Sequence, residues 1–341
     1  MINQIYQLVA PRQFETAYYN ENIKSNNVVI RPLYLSICAA DQRYYTGERN
    51  EQVLEKKLPM SLIHEGIGEI VYDSQGVYKV GTKVIMVPNT PVEKDPIIDE
   101  NYLSSSKFRS SGYDGFMQDY VFMQHNRIVE IPNFLDLSVL SYSELVSVSW
   151  HAIKRFEKKS ICKKNSFGIW GDGNLGFITA VLLRKIYPKS KIYVFGKTDF
   201  KLSHFSFADG IIYINHIPSD LKIDHAFECV GGKGSQSAIN QIIDIISPEG
   251  SIALLGVSEY LIEINTRLIL EKGLTIIGNS RSTARDFQDI VQLYKENPDV
   301  IEKLSLLKGQ EFEVKTIDDV IKAFEYDLSE SWGKTVIKWD M

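Results

Sequence analysis

The sequence contains 341 residues with a formal net charge of −5, and 44% of its residues are hydrophobic. This length predicts two domains, and the composition is that of an ordinary globular protein. The negative charge disfavours a nucleic-acid partner, which would require a basic stripe. We expect a cytoplasmic protein without membrane association, because neither a membrane-length apolar stretch nor a signal-peptide pattern is present. Cys38, Cys162 and Cys229 are odd in number and far apart, which does not indicate a disulfide framework.

The chain up to about Pro132 is predicted to be rich in β-strands. Its short apolar runs are separated by Gly, Pro, Asn and Asp residues, as in a compact barrel or sandwich. The predicted strands of this part are residues 28–30, 68–72, 83–87 and 120–123.

Side chains that can bind a metal occur within this part and shortly after it. Cys38, His64 and Glu144 offer a thiolate, an imidazole and a carboxylate, from which a zinc site with one open position can be built. Glu65 adds a second carboxylate next to His64. Zinc would polarise a carbonyl oxygen as a Lewis acid. Taken singly, however, Cys38 has an ordinary explanation as a small buried side chain, and Glu144 as a helix cap, so spacing alone leaves both interpretations open.

From about Ser141 the pattern changes to alternating strands and helices. A predicted buried strand at residues 166–170 is followed by the sequence Gly171-Asp-Gly173-Asn174-Leu175-Gly176 and by a predicted helix at 177–184. In a dinucleotide-binding turn the first glycine permits the tight turn, the second admits the pyrophosphate, and the third lets the helix pack close to its strand. An ordinary glycine turn is the alternative, but a second predicted strand at 191–195 completes a βαβ unit and favours cofactor binding.

The end of this second strand bears on the choice of cofactor. An NAD site normally places an acid there to bind the ribose 2′-hydroxyl, whereas this chain has Gly196, Lys197 and Thr198. Lys197 can pair with a 2′-phosphate, and Lys201 is a second candidate. Asp199 is the nearest acid and is the main argument for NAD(H). The sequence therefore favours NADP(H).

The remaining elements complete an α/β pattern. Apolar runs predict strands at 225–230, 251–255 and 274–277, with helical stretches between them, as in a parallel sheet wound with helices. The tail has two predicted helices, at 286–294 and 317–328, and a strand at 335–339. A tail strand returning to the β-rich part would leave the cofactor domain inserted within the catalytic domain.

The order of these motifs resembles the zinc-dependent medium-chain dehydrogenases, in particular the polyol dehydrogenases. The resemblance rests on Cys38, the His64-Glu65-Gly-x-Gly segment, Glu144 and the glycine motif, and it spans essentially the whole chain. Further similar segments are residues 114–120, 149–152, 227–231 and 250–256. The resemblance implies a GroES-like catalytic domain at 1–140 and 286–341 and a doubly wound Rossmann domain at 141–285, with the active site between them. It also implies that Cys38, His64 and Glu144 bind zinc, with Glu65 as a fourth ligand or a carboxylate that exchanges with water.

Two departures from the family pattern change these expectations. No cysteine lies between Pro88 and Gly115, where many members bind a structural zinc, so we expect one catalytic zinc only. Ala40 stands where the family commonly has a Ser or Thr that begins the proton relay. The proton must then come through water, the cofactor ribose or a neighbour such as Tyr44.

A narrower resemblance is to the ribulose-5-phosphate reductases of bacterial wall teichoic acid and capsule synthesis. It is carried by residues 1–8, 58–66, 167–176 and 196–199. The resemblance implies NADPH-dependent reduction of D-ribulose 5-phosphate to D-ribitol 5-phosphate, and a ribitol-5-phosphate cytidylyltransferase as a possible physical partner. A homodimer is expected from the family, with residues 251–256 as the candidate edge strand.

Arginine can bind a phosphate through two parallel hydrogen bonds, and Arg43 beside the cysteine motif is the first candidate for the substrate phosphate. A surface Arg43 paired with an acid is the alternative. Arg109, Arg281 and Arg285 are weaker candidates for the same role.

Three other functions compete with this interpretation. An NAD-dependent polyol dehydrogenase acting on unphosphorylated sugars would predict an acid at the end of the second strand. A zinc-free quinone reductase would leave Cys38, His64 and Glu144 unexplained. A non-catalytic NADPH-binding relative is slightly favoured by Ala40 and disfavoured by the complete set of ligand-type residues.

Overall fold

The computed structural model describes residues 1–23, 27–160 and 163–341, so Cys162 lies outside the described residues. The chain forms two compact units. The first contains Met1–Ser147, Ser282–Ile301 and Ser305–Met341, and the second contains Val148–Arg281 and Glu302–Leu304. Among the described residues, no helix is both long and apolar enough to cross a membrane.

The helices and strands are named in chain order. The elements up to residue 159 are β1 Ile2–Ala10, β2 Gln13–Asn20, β3 Val28–Ser36, α1 Ala39–Tyr45, α2 Glu51–Lys57, β4 Met60–Ser61, β5 Glu65–Asp73, β6 Lys83–Met86, β7 Asn89–Thr90, β8 Lys107–Phe108, β9 Val121–Met123, β10 Ile128–Glu130, α3 Leu137–Leu140 and α4 Ser143–Lys159. Those of the second unit are β11 Ser166–Trp170, α5 Asn174–Ile186, β12 Lys191–Gly196, α6 Asp199–Leu202, β13 Gly210–Tyr213, β14 Ile223–Glu228, α7 Ser235–Ile245, β15 Ile246–Leu254, α8 Thr266–Lys272 and β16 Thr275–Gly278. The tail contains α9 Ala284–Glu296, α10 Pro298–Ser305, β17 Lys308–Val314, α11 Ile317–Ser329 and β18 Lys334–Trp339.

Strand β3 lies in the middle of the larger sheet of the first unit. The strand order in the described residues is β10-β6-β5-β3-β18-β17, and β9 also pairs with β3. The tail strand β18 runs antiparallel to β3, with Val336 opposite Ser36. Trp339, at its end, packs edge-on against Tyr6 and donates its indole N–H to Gln118 O at 3.0 Å. The last strand of the chain is therefore part of the N-terminal sheet, and this brings the start of β18 beside the residues that follow β3.

The turn after β5 is held by the carboxylate of Asp73, whose side chain is only 1% exposed. It accepts hydrogen bonds from Gln75 N and Tyr78 N, both at 2.9 Å, and Oδ1 lies 2.8 Å from His125 Nε2. Burial opposes ionisation, but these contacts outweigh it and lower the pKa of Asp73 to about 2.

The lowered pKa of Asp73 predicts a specific acid sensitivity. A depressed pKa contributes stability that is present above the unfolded-state value near 3.8 and is lost as the pH falls towards about 2. We expect Asp73→Asn to be less stable than the wild type at pH 7 and to lose less stability between about pH 4 and pH 2. Urea denaturation at a series of pH values measures this, and parallel curves for the two proteins would contradict it.

The second unit is a parallel sheet with the order β13-β12-β11-β14-β15-β16 in the described chain. The strand order reverses beside β11, and at such a point the carboxyl ends of the strands form a ligand-binding crevice. Trp170 at the end of β11 stacks on Phe195 of β12 with ring centroids 3.6 Å apart. The glycine motif thus begins where a doubly wound sheet binds its ligand.

The expectation that residues 251–256 form a free sheet edge is wrong. Most of this segment belongs to β15, which pairs with β14 on one side and with β16 on the other. The outer strands of this sheet are β13 and β16. A continuous apolar run such as 251–255 is typical of a strand that is buried on both faces, which is an interior position in a parallel sheet.

Candidate metal centre and cofactor site

Cys38 lies between β3 and α1, in a loop that is fixed from two sides. Ile37 N donates to Thr335 O of β18 at 3.1 Å, and Cys38 N donates to the Asp41 carboxylate at 3.1 Å. An acid at the third helical position commonly receives such a bond and closes the first turn. The thiol is therefore presented at the start of α1 by local hydrogen bonds and by the C-terminal strand.

His64 is oriented by the same carboxylate. Ile63 N donates to Asp41 Oδ1 at 3.0 Å, and His64 Nδ1 lies 3.4 Å from that oxygen. Ile63 has φ 66°, a conformation that is rare for a β-branched residue and is often found at functional sites. With Nδ1 facing Asp41, the histidine can offer Nε2 to a metal, and Nε2 lies 3.9 Å from Glu144 Oε2.

The structure brings the predicted ligand-type residues together in the first unit. One ligand atom from each of Cys38, His64 and Glu65 lies within 4.8 Å of the other two. Glu144, in the first turn of α4, borders this group through His64. The two glutamates and the histidine are buried, and Cys38 is half-buried. A soft thiolate, an imidazole and carboxylates are the donor set that zinc prefers.

Lys334 is a neighbour of this cluster that the sequence analysis missed. Its ammonium group donates to Glu65 Oε1 at 3.0 Å and to Ile37 O at 2.6 Å, and the residue is 3% exposed. Burial alone would lower the pKa of Lys334, but Glu65 and Cys38 raise it, so the ammonium group stays charged. No local signal marks this lysine, because its partner is 269 residues away in the sequence.

The charges of the cluster fit a bound cation. Burial raises the pKa of Glu144 to about 7 against the attraction of His64, and Glu65 adds to the rise. Burial also raises the pKa of Glu65, with Lys334 opposing the shift. Glu65 Oε2 is fully buried and makes no hydrogen bond within the described part of the chain. A divalent metal would supply both the missing contact and the missing positive charge.

Asp41 is a second residue that the sequence analysis did not identify. Burial raises its pKa, but His64, Ser110 and Cys38 N outweigh this, and the net pKa is lowered. Ser110 Oγ donates to Asp41 Oδ1 at 2.6 Å. The Cys-x-x-Asp spacing at a helix start, with a nearby histidine, was a usable signal, since metal-binding histidines usually donate to a carboxylate.

The other predicted residues of α1 lie close to this cluster in sequence. Tyr44 is buried, and its hydroxyl accepts a hydrogen bond from Lys57 Nζ at 3.0 Å; Arg43, one residue earlier, is half-buried. Arg109, a weaker candidate for the substrate phosphate, is buried, and its guanidinium donates to Asp114 O and Phe122 O, so these two hydrogen bonds support the backbone.

In the second unit, the glycine motif forms a tight turn at the end of β11. Gly171 has φ 124°, a conformation favoured by glycine, and Gly173 is the residue immediately before α5. A Cβ at Gly176 would lie 1.9 Å from Gly171 O, whereas a Cβ at Gly173 would meet no atom within 4 Å. Asn174 and Leu175 form the first turn of α5, whose N–H groups give this end of the helix a positive dipole.

The difference in free space at Gly176 and Gly173 predicts different unfolding temperatures for their alanine variants. We expect Gly176→Ala to lower the thermal unfolding temperature by several degrees, because the helix must move away from the turn. We expect Gly173→Ala to unfold within about a degree of the wild type, since its Cβ has open space. Differential scanning calorimetry distinguishes them, and equal unfolding temperatures for the two variants would contradict the packing argument.

The segment after β12 is fixed by the acid of the glycine motif. Asp172 Oδ2 accepts hydrogen bonds from Lys197 N and Thr198 N, both at 2.9 Å, and a Cβ at Gly196 would lie 2.7 Å from Asp172 Cβ. The Lys197 side chain is exposed. Asp199 accepts a hydrogen bond from the Tyr213 hydroxyl, which raises the pKa of that phenol. Asp199, the nearest acid, therefore already has a hydrogen-bond partner. The exposed Lys197 side chain extends from a backbone that Asp172 holds in place.

Comparisons with known proteins agree with both units. The alcohol dehydrogenase GroES-like domain model matches residues 24–133, and the zinc-binding dehydrogenase model matches residues 209–296. With the two-unit fold and the Cys-His-Glu cluster, these matches define a zinc-type medium-chain alcohol dehydrogenase. The predicted fold class, a GroES-like domain plus a doubly wound Rossmann domain, is confirmed.

Relatives that match over the full length of the chain identify a narrower family. Ribulose-5-phosphate reductase 1 of Staphylococcus aureus is 71% identical over 341 residues, covering 100% of both chains. Ribulose-5-phosphate reductase of Bacillus spizizenii is 56% identical, again over 100% of both chains. The crystal structure of Staphylococcus aureus TarJ in complex with NADPH superposes with a TM-score of 0.91 at 66% identity, covering 100% of both chains. The chain belongs to the ribulose-5-phosphate reductase family, and the predicted resemblance is confirmed.

Proposed function

We propose that the protein reduces D-ribulose 5-phosphate to D-ribitol 5-phosphate with NADPH, for the synthesis of CDP-ribitol and ribitol-phosphate wall teichoic acid. The observation that carries this proposal is full-length identity of 71% to a ribulose-5-phosphate reductase, together with a buried Cys-His-Glu cluster suited to a metal. The carbonyl carbon of the substrate gains a hydride and its oxygen gains a proton, so the site must hold an electrophile and a proton donor.

We propose that Cys38, His64 and Glu144 hold a single catalytic zinc ion, with Glu65 as a fourth ligand or a carboxylate that exchanges with water. A zinc ion held by these residues would supply Lewis-acid polarisation of the substrate carbonyl. The protein residues shape this site: the Asp41 carboxylate faces His64 Nδ1 at 3.4 Å, and Lys334 holds one oxygen of Glu65. The second oxygen of Glu65 then stays directed into the cluster.

The proton relay differs from that of relatives with a hydroxyl at position 40, because Ala40 cannot donate a proton. Tyr44 Oη accepts a hydrogen bond from Lys57 Nζ, and a phenolic O–H group can donate a hydrogen bond in turn. We propose Tyr44, water or the cofactor ribose as the source of this proton. Arg43, on the same helix, is the sequence-based candidate for the substrate phosphate.

We propose that the second unit binds NADPH through the turn formed by Gly171, Gly173, Asn174, Leu175 and Gly176. Glycines permit close approach of the pyrophosphate, and the N-terminus of α5 favours negative charge. We further propose that the segment of Gly196, Lys197 and Thr198 receives the 2′-phosphate. The exposed lysine and the engagement of Asp199 by Tyr213 support this preference.

The remaining organisation is proposed from the fold and the family. We assign residues 1–140 and 286–341 to the catalytic domain and 141–285 to the cofactor domain. The two compact units support this division, with boundaries after Ser147 and Arg281 and with Glu302–Leu304 in the second unit. A homodimer would form through the outer strand β16, where Ile276 is 37% exposed. A cytidylyltransferase that uses the product is the proposed partner, and the use of NADPH and a nucleotide-linked product is consistent with the cytoplasm.

Nicotinamide absorbance tests the proposed reaction directly. Purified protein is mixed with D-ribulose 5-phosphate and either NADPH or NADH, before and after treatment with a zinc chelator, and Lys197→Glu is assayed in parallel. We expect rapid oxidation of NADPH that the chelator abolishes, slower oxidation of NADH, and a selective loss of NADPH use in the variant. Absence of turnover with ribulose 5-phosphate, accompanied by activity on unphosphorylated polyols with NAD, would contradict the proposal.

A further inference from the structure

A lysine at the end of helix α2 makes only neutral polar contacts among the described residues. The Nζ of Lys57, at the end of α2, donates to Tyr44 Oη at 3.0 Å and to Ser111 Oγ at 3.2 Å. Within the described chain, no carboxylate is among the polar contacts of Lys57. The other basic side chains here differ, because Lys334 is neutralised by Glu65 and Arg109 donates to backbone carbonyls. Lys57 Nζ therefore has no acidic partner among the described residues, and an anion could supply one.

A second cation lies on the same aromatic ring. The guanidinium carbon of Arg49 is 4.8 Å from the centroid of the Tyr44 ring, and Lys57 Nζ is 5.7 Å from it. Cations within about 6 Å of a tyrosine ring are attracted by its electron-rich face. Both positive groups therefore lie within about 6 Å of the same ring, and a multiply charged anion beside this ring is attracted by both.

The side chains that contact these two cations, Tyr44 and Ser111, lie close in sequence to residues of the metal cluster or to their hydrogen-bond partners. Tyr44 lies on helix α1, which begins directly after Cys38. Ser111 follows Ser110, whose hydroxyl donates at 2.6 Å to Asp41, the carboxylate that faces His64. All of these residues belong to the first unit. The two side chains that Lys57 contacts therefore lie on helix α1, which begins directly after Cys38, and next to Ser110, the hydrogen-bond partner of Asp41.

We propose that Lys57, Ser111 and Arg49 form the subsite for the phosphate group of the sugar phosphate substrate. The proposal rests on the proposed function and specifies how that site recognises its substrate. In ribulose 5-phosphate, three carbons separate the carbonyl from the phosphate-bearing oxygen, so the phosphate must bind beside the metal cluster and not on it. Lysine is a common phosphate ligand that acts as a point charge, and a neighbouring hydroxyl can rotate to donate a further hydrogen bond.

The subsite is tested by three variants of the full-length, zinc-loaded protein. Lys57→Met removes the charge, Lys57→Arg keeps it, and Lys56→Met is the matched control at an exposed position of the same helix. We expect Lys57→Met to raise KM for D-ribulose 5-phosphate roughly 10- to 100-fold, as for the loss of a hydrogen bond to a charged group. The value of kcat should change much less, Lys57→Arg should recover most of the affinity, and Lys56→Met should match the wild type.

Equilibrium binding of D-ribulose 5-phosphate, measured by isothermal titration calorimetry without NADPH, separates this proposal from the proposed function. If the wild type binds the sugar phosphate but does not reduce it, the proposed function fails, while weaker binding by Lys57→Met still supports the subsite. Arg43→Met is measured in the same way, because the sequence analysis names Arg43 as the first candidate for binding the substrate phosphate. Unchanged binding and KM in Lys57→Met, or no binding of the sugar phosphate by the wild type, would overturn the subsite.

Discussion

Replacing Cys38 by alanine should remove the bound zinc from the purified protein and lower kcat/KM for carbonyl reduction by at least roughly 1,000-fold. The thiolate is the one soft ligand of the cluster, and without it His64 and two glutamates form a weaker and less selective site for zinc. Polarisation of the carbonyl is worth several kcal/mol in the transition state, and each 1.4 kcal/mol corresponds to about a factor of ten in rate.

Metal analysis of the dialysed protein provides a readout that does not depend on activity. Cys229→Ala is the matched control, because Cys229 is buried and belongs to the second unit, whereas the ligand-type residues belong to the first, and burial raises the pKa of its thiol. The control should retain the zinc content of the wild type. An equimolar amount of zinc in Cys38→Ala would show that the cluster is not the metal site.

Replacing Lys334 by methionine should destabilise the folded protein by about 3–5 kcal/mol, the cost of leaving a buried partner charge uncompensated. Lys334 is 3% exposed and Glu65 is fully buried, so solvent cannot replace the lost ammonium group. The Ile37 carbonyl also loses its contact with Lys334 Nζ, next to Cys38. The free energy of unfolding is measured by urea denaturation of the metal-free protein.

Two further variants show whether the effect belongs to the ion pair. Lys338→Met, at an exposed position of the same strand, should change the stability by less than about 0.5 kcal/mol. The double variant Lys334→Met with Glu65→Gln should recover part of the loss, because it removes the uncompensated charge. Additive effects of the two single substitutions would mean that the two side chains do not interact in the folded protein.

Several elements could be predicted from the sequence because their signals are local. The predicted strand at 166–170 coincides with β11, and the predicted helix at 177–184 lies within α5. Each of these elements is an apolar run, and the glycine motif begins where the strand ends and leads into the helix. The ligand-type residues Cys38 and His64 were likewise recognisable from their motifs, and the structure places their ligand atoms within 4.8 Å of each other.

Other features could not be predicted because they depend on which segments meet in space. The edge of the parallel sheet was misassigned, since apolarity at 251–255 does not specify which strands flank it. The sequence does not show that Arg109, a weaker candidate for the phosphate, donates to two backbone carbonyls in the folded chain. Lys57 had no motif at all, and its relation to Tyr44 and Ser111 is visible only in the folded chain.

The sequence by itself determined the two domain types, the glycine turn and the identity of the ligand-type residues, because each depends on the chemistry of a short segment. Only the tertiary structure decided which charges surround those residues. Lys334 reaches Glu65 across 269 residues because the last strand pairs with β3 beside the Cys38 loop. Burial and pairing of charges are properties of the packed chain, and the electrostatic character of the candidate metal centre is set there.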